Sequence, residues 1–209
     1  MSRVLRSDFF ETKYTAKIAQ DLLGKFLIRK IGRKTISYMI TEAEAYCGSE
    51  DKASHAHKGK TKRNEPMFGS AGNWYVYLIY GMYHMLNIVT GPKNYPAAIL
   101  IRGLEGTCPV RSRSPQGDCS TAFGRAASNG MNGPGKLTKK LKITKVLNNK
   151  KAIPKNGLWI EDRGVKINKK DIKKSARIGV GYAGPVWSKK KLRFFICHSA
   201  LDAESRKRN

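Results

Sequence analysis

Apolar positions four apart define the first recognisable element of the chain. In residues 15–24, Ile18 and Leu22, then Ala19 and Leu23, share a face behind a threonine able to cap and before a glycine able to terminate, which predicts a short amphipathic helix. The pattern then turns to strands. Residues 26–31 and 35–40 are rich in β-branched and aromatic side chains and are joined by Gly32, Arg33 and Lys34, which predicts a hairpin. If the alternation of the second strand continues past Ile40, then Glu42, Glu44 and Tyr46 fall on the side of Ile36, Tyr38 and Ile40, the apolar side. A strand ending near Ile40 instead leaves both glutamates in water, and the pattern alone keeps both readings open.

A loop dense in Gly, Ser, Lys and Arg follows over residues 48–64. Residues 74–80 and 83–90 predict a second hairpin, turning at Gly81 and carrying an aromatic tip. Residues 97–102 read as a short buried strand that ends on the cation of Arg102. Residues 107–130 are polar and without periodicity, a long loop or insert. From 136 to 174 lysine follows lysine, with only Glu161, Asp162 and Asp171 in opposition. A last strand is expected at 192–196, followed by a loose polar tail over 197–209. No internal repeat is visible.

Charge changes the picture most. Among 209 residues, 41 Lys and Arg face 15 Asp and Glu, a net charge of +26, while 40% hydrophobic residues supply core-formers that a disordered basic tail lacks. A folded body with that field is rewarded by released counterions when it meets a polyphosphate, so nucleic acid is the first partner to consider. The longest apolar stretch, 74–89, holds four tyrosines, His84 and Asn87 and is broken by Gly81, so it does not make a membrane span. The N-terminus has no apolar core of a secretory signal, and the protein is expected to stay in the compartment where it is made. Cys47, Cys108, Cys119 and Cys197 form no C-x-x-C pair and are read as reduced thiols.

Candidate chemistry centres on Glu42 and Glu44, because a carboxylate on an apolar strand face is expensive unless it is paired or used. Zinc held by Cys47, His55 and His57 is conceivable, although their spacing matches no standard structural site. The aromatic run at 74–83 is in part core. Yet Tyr80 and Met82 at a protruding turn of a basic protein have the shape of a wedge for a base stack. The lysine run is a soluble face or a phosphate-contacting one, and its lopsided sign favours the second.

Glu42-Ala-Glu44-Ala-Tyr46, Glu50-Asp51 with Ala53 and His55, Thr61-Lys-Arg-Asn64 before Met67-Phe68, residues 75–83, Asn87-Ile88, Leu100-Ile-Arg102, Gly133-Pro-Gly-Lys-Leu137 and Arg177-Ile-Gly-Val-Gly stand in an order that resembles the alkyladenine (3-methyladenine) DNA glycosylase family. The resemblance runs from about residue 8 to 196. It implies a monofunctional base-excision-repair enzyme that flips and hydrolytically excises alkylated or deaminated purines such as 3-methyladenine, hypoxanthine and ethenoadenine. It implies Glu44 as the base that activates water, Arg102 as its partner, and Tyr46, His55 and Tyr77 as stacking walls. Asn87 is then the residue that crowds the 2-amino group of guanine, Tyr80 the intercalating wedge, and Met82 and Tyr83 its minor-groove neighbours. Thr61, Arg63, Asn64 and Lys136 are candidates for contact with the DNA backbone.

The expected fold is a mixed α/β single domain over residues 1–196, with a curved, mainly antiparallel sheet flanked by helices and a protruding β-hairpin. Neither a cofactor nor a metal is expected. Double-stranded DNA carrying damaged purines is the expected partner, a membrane is not, and one subunit should suffice as a monomer. The expected location is cytoplasmic with the bacterial nucleoid, or nuclear in a eukaryote. Two rivals remain at this point: a catalytically silent DNA-binding module, and a bifunctional glycosylase-lyase using one of the lysines. Residues 107–130 and 197–209 match nothing in the family pattern.

Overall fold

The computed structural model describes residues 2–106 and 131–196. In chain order come β1 (Arg3–Val4), α1 (Ser7–Phe10), α2 (Thr15–Asp21), β2 (Phe26–Ile31), β3 (Lys34–Tyr46), β4 (Trp74–Ile79), β5 (Tyr83–Thr90) and β6 (Ala97–Gly106). Then follow β7 (Met131–Asn132), α3 (Pro134–Lys140), β8 (Leu158–Asp162), β9 (Ile172–Ser175), α4 (Gly184–Lys189) and β10 (Arg193–Ile196). The fold is mixed α/β, a curled antiparallel sheet with few helices in one domain, as the resemblance implied. The expected insert at 107–130 and the tail at 197–209 lie outside the described residues, and so do Cys108, Cys119 and Cys197.

The strands run in the order β1-β8-β2-β3-β6-β5-β4, with β7 beside β6 and β10 linking β3 to β9. The sheet is organised by the 13 residues of β3. Its first half pairs with β2, from Lys34 opposite Ile31 to Met39 opposite Phe26. Its second half pairs on the same edge with β10, Glu42 opposite Phe195 and Glu44 opposite Arg193. On its other edge lies β6. A strand that changes neighbour half-way must bend, and the bend is built from an irregularity in the β3–β6 ladder.

Ile40 pairs with Leu104, Glu42 with Gly103 and Ala43 with Ile101, so Thr41 on β3 and Arg102 on β6 are the extra residues of the ladder. Each extra residue reverses the in–out alternation of its own strand. Ile36, Tyr38 and Ile40 pack with the main core before the irregularity, and Ala43 and Ala45 pack with it afterwards. The glutamates therefore do not share a side with Ile36, Tyr38 and Ile40, as unbroken alternation predicts; Glu42, Glu44 and Tyr46 face away from the core. The strand itself continues six residues past Ile40, which decides the question left open by the sequence.

Behind the sheet, Ile18, Ala19, Leu22 and Leu23 of the α2 region and Leu137 and Leu141 of the α3 region close the core with Trp74, Leu86, Ile88, Ile99 and Ile101. The Trp74 indole nitrogen donates to the Leu158 carbonyl at 3.1 Å, so its polar atom is satisfied inside the core. The threonine expected to cap α2 has another task. Tyr14 holds the cap position, and the buried Thr15 hydroxyl shares a hydrogen bond with that of Thr90 at 3.0 Å. Gly24 does terminate the turn, with φ +82°.

Gly103 pairs with Glu42 in the irregular stretch of the ladder, and a Cβ built there would lie 2.8 Å from the Glu42 Cβ. Gly103→Ala should lower the unfolding free energy by about 1–3 kcal/mol in urea denaturation, because neither backbone can retreat. An unchanged midpoint would mean that the ladder gives way there freely.

Candidate active site and candidate nucleic-acid interface

The reversal of alternation delivers Glu44 to a face that buries it and offers it hydrogen-bond donors. Its side chain is 0% exposed. One oxygen, Oε2, accepts the Tyr46 hydroxyl at 3.0 Å, while Oε1 accepts the Ile178 amide at 2.9 Å and lies 3.4 Å from Nε of Arg102. Burial pushes the Glu44 carboxyl above its ordinary value, while Arg102, the Ile178 amide and the Tyr46 hydroxyl pull it back. A group whose folded-state pKa is raised stabilises the fold below its unfolded pKa and loses that contribution as pH rises through the folded pKa. At neutral pH an ionised Glu44 is thus a local weakness of the fold.

Beside this carboxylate a pocket opens, lined by Tyr46, His55, Tyr75, Tyr77, Asn87 and Tyr182 among others. Glu44 is not itself part of the lining and reaches the pocket wall through Tyr46. The His55 ring meets that of Tyr77 edge-on, centroids 4.6 Å apart, and Tyr77 is tilted against Tyr75 at 5.1 Å. His55 Nδ1 shares a hydrogen bond with the Tyr75 hydroxyl at 3.0 Å. Burial and then the nearby Arg63 lower the His55 pKa, which favours a neutral imidazole. Asn87 donates its amide nitrogen to the carbonyls of Tyr75 at 3.1 Å and Met85 at 3.3 Å, and so fixes which way its amide points. The structure thus brings together Tyr46, His55, Tyr77 and Asn87, with Glu44 and Arg102 immediately behind.

The second hairpin carries the wedge candidates. Tyr80 is 82% exposed, Met82 66% and Tyr83 43%, at and beside the β4–β5 turn. Tyr80 has φ +53° and Gly81 φ +69°. Positive φ at both central positions is the geometry of a tight hairpin turn, and it is costly for a bulky residue such as Tyr80. Tyr83 is backed by the start of α3, where the absence of a side chain on Gly135 permits close approach: a Cβ there would lie 2.9 Å from the Tyr83 ring.

Of the four backbone-contact candidates, Thr61, Arg63 and Lys136 are exposed and Asn64 is not. Asn64 is 1% exposed. Its carbonyl oxygen accepts the Thr61 amide at 2.7 Å, and its nitrogen donates to the carbonyls of His55 and Gly59, both at 2.9 Å. Its expected phosphate contact is therefore corrected: every polar group of this side chain is spent on the loop that holds His55. Arg63 lies over the Tyr77 ring at 5.3 Å and donates to the Leu78 carbonyl at 2.9 Å.

Residue-by-residue reasoning gave no role to the pair that braces all this. Arg177 donates to both oxygens of Asp51, the Nη2–Oδ1 bond being 2.8 Å, and both side chains are 0% exposed. Arg177 also donates to the Ala45 carbonyl at 2.8 Å and covers the Tyr46 ring at 4.7 Å. Asp51 accepts the amides of Cys47 and Ala53. One ion pair thus fixes the loop after β3, the Tyr46 ring and the segment that presents the Ile178 amide to Glu44. The two residues are 126 apart, and their only trace in the sequence was membership of two separate motifs. Among the described residues, no group of three His, Cys, Asp or Glu side chains is arranged to hold a metal ion, and no helix is long and apolar enough to cross a membrane.

The structure therefore joins an aromatic pocket with a buried carboxylate behind it to an exposed aromatic hairpin on a strongly basic protein. Comparison with known proteins gives the family. The profile of the methylpurine-DNA glycosylase family matches residues 8–200. A protein of Methanocella arvoryzae named "Putative 3-methyladenine DNA glycosylase" is 44% identical over 87% of this chain and 86% of its own. Proteins of the same name from Borreliella afzelii and Clostridioides difficile are 40% and 39% identical, over 90% and 86% of this chain and 94% of theirs in each case. The chain belongs to the methylpurine-DNA glycosylase family and is a DNA glycosylase, a hydrolase of N-glycosyl bonds in DNA repair.

Replacing Asp51 leaves a buried guanidinium without its counter-charge. Asp51→Asn should therefore lower the unfolding free energy by about 3–5 kcal/mol in denaturant titration. A loss below about 1 kcal/mol would mean that water reaches Arg177 and that the pair is not a brace.

Proposed function

We propose that this enzyme is a monofunctional glycosylase that extrudes an alkylated or deaminated purine, of the 3-methyladenine, hypoxanthine and ethenoadenine class, and hydrolyses its bond to deoxyribose with a water activated by Glu44. The observation that carries the proposal is the fully buried Glu44 carboxylate behind the aromatic pocket, in hydrogen-bond contact with Tyr46.

Breaking an N-glycosyl bond builds positive charge on the sugar. A fixed anion in a water-poor site stabilises that charge far better than one in solvent, and it can take the proton of the attacking water. Arg102 favours the ionised form that both tasks need. The departing purine stacks among Tyr46, His55 and Tyr77. Stacking is worth about 1–3 kcal/mol per base and tolerates many purines. An alkylated, cationic ring gains further from the tyrosine faces, and a neutral His55 adds no repulsion. The Asn87 amide, locked by two backbone carbonyls, is an unyielding wall against the exocyclic amino group of normal guanine.

Extrusion costs a few kcal/mol, least for a damaged or mispaired base. The gap in the stack is filled by Tyr80, with Met82 and Tyr83 on the minor-groove side, while Thr61, Arg63 and Lys136 hold the backbone without reading sequence. The monomer is the working unit, since one pocket and one wedge handle one base.

Glu44→Gln should reduce single-turnover release of hypoxanthine by at least about 100-fold while leaving the Kd for lesion duplex within about threefold, because binding draws on phosphates and stacking. Equal loss of both would make Glu44 structural. In the native enzyme, base release should rise with pH through a limb lying above the ordinary carboxylate range, since burial raises the Glu44 pKa and only the ionised form acts as a base. Tyr80→Ala should leave the melting temperature within about 2 °C, as its ring is exposed, and weaken capture of an extruded fluorescent base. A large fall in stability with normal capture would put that ring in the fold instead.

A further inference from the structure

Arg102 cannot serve Glu44 alone, because it also bonds Glu42. Its Nε donates to Glu42 Oε1 at 3.0 Å, closer than the 3.4 Å to Glu44 Oε1. Two carboxylates sharing one guanidinium would leave a net negative charge beside Glu44, which disfavours its ionised form. A fourth charge completes the group. From β10, Nε of Arg193 donates to the same Glu42 oxygen at 2.6 Å, and its backbone lies directly opposite Glu44 in the ladder. Arg193 is further held by the Ser175 hydroxyl at 3.3 Å and lies over the Phe195 ring at 4.9 Å. Three strands thus carry an alternating row, Arg193, Glu42, Arg102, Glu44, whose charges sum to zero.

We infer that Arg193 is a positioning residue for the reaction: by holding the Glu42 carboxylate, it leaves Arg102 free to keep Glu44 ionised. The inference rests on the reading of Glu44 as the base. It adds a residue that touches neither substrate nor Glu44 in hydrogen-bonding contact and acts through Glu42 and Arg102. The other groups around Glu44 do not supply this charge. Tyr46, Tyr77 and Tyr182 have hydroxyl pKa values raised by burial and are neutral near pH 7, and the Arg177 guanidinium is matched by Asp51.

The test is the pH dependence of single-turnover hypoxanthine release from a duplex, measured for the native enzyme, Arg193→Met, Glu42→Gln and the double variant, with Glu44→Gln as control. Removing the cation should move the acid limb up, and removing the Glu42 anion should move it down, each by about one pH unit. The double variant, again balanced in charge, should return to within a few tenths of a unit of the native limb, and Arg193→Lys should stay near it. A merely structural role would lower the plateau rate without opposite displacements that cancel. If Arg193→Met gives no cooperative thermal transition, Arg193→Gln replaces it, with the same upward shift expected. Limbs that coincide in all folded variants, with Glu44→Gln inactive, would overturn the role of Arg193. Base release surviving in Glu44→Gln would instead overturn the reading of Glu44 as the base.

Discussion

A carboxylate with no exposed surface is tolerable only if the protein itself replaces the water it has lost, and the architecture around Glu44 supplies that replacement from three places and braces one of them with a buried ion pair. Tyr46 lies two residues along the same strand, Arg102 comes from the neighbouring strand, the Ile178 amide from a segment 134 residues away, and the Asp51–Arg177 pair holds that segment in place. Each donor lowers the energy of the ionised form, yet burial still wins and the pKa stays raised. The site is therefore poised between stability and reactivity: the ionised state the proposed chemistry needs is the one the fold tolerates least.

The strand irregularity is what makes the arrangement geometrically possible. Without the extra Thr41, unbroken alternation would put the two glutamates among Ile36, Tyr38 and Ile40, in a core with no partners for them. With it, alanines 43 and 45 fill the core and the acids turn towards the pocket side. The matching extra residue on β6 is Arg102, so the same irregularity that turns the acids around also brings them their cation. Its neighbour Gly103 lets the strands approach closely enough for this to happen.

What could be read from the sequence was local. The two hairpins, at β2–β3 and β4–β5, follow from period-two alternation and turn residues; β2, β4 and β5 lie within a residue or two of the expected bounds, while β3 runs six residues past its expected end at Ile40. Glu42 and Glu44 drew notice because they sat badly on an apolar strand. The reversal at Thr41 was invisible, since it is a property of the register between two strands and not of either alone. The same limit hid Asp51–Arg177 and Arg193, whose partners are distant in the chain, and β8, whose Leu158, Trp159 and Ile160 were masked by surrounding lysines. Asn64 looked like a phosphate contact because it stands in a basic loop; only its hydrogen bonds place it inside that loop.

In the proposed function, field, wedge and pocket act in sequence: the charge of +26 would hold the duplex, the exposed Tyr80 would occupy the vacated stack, and the aromatic walls would hold the base while water attacks the sugar. The most direct measurement is a gel assay of an end-labelled duplex with a single hypoxanthine, incubated with the enzyme and then divided. The account predicts an intact strand in the untreated half and scission at the lesion in the half heated with alkali, which opens abasic sites. An intact strand in both halves, or scission before alkali, would contradict it.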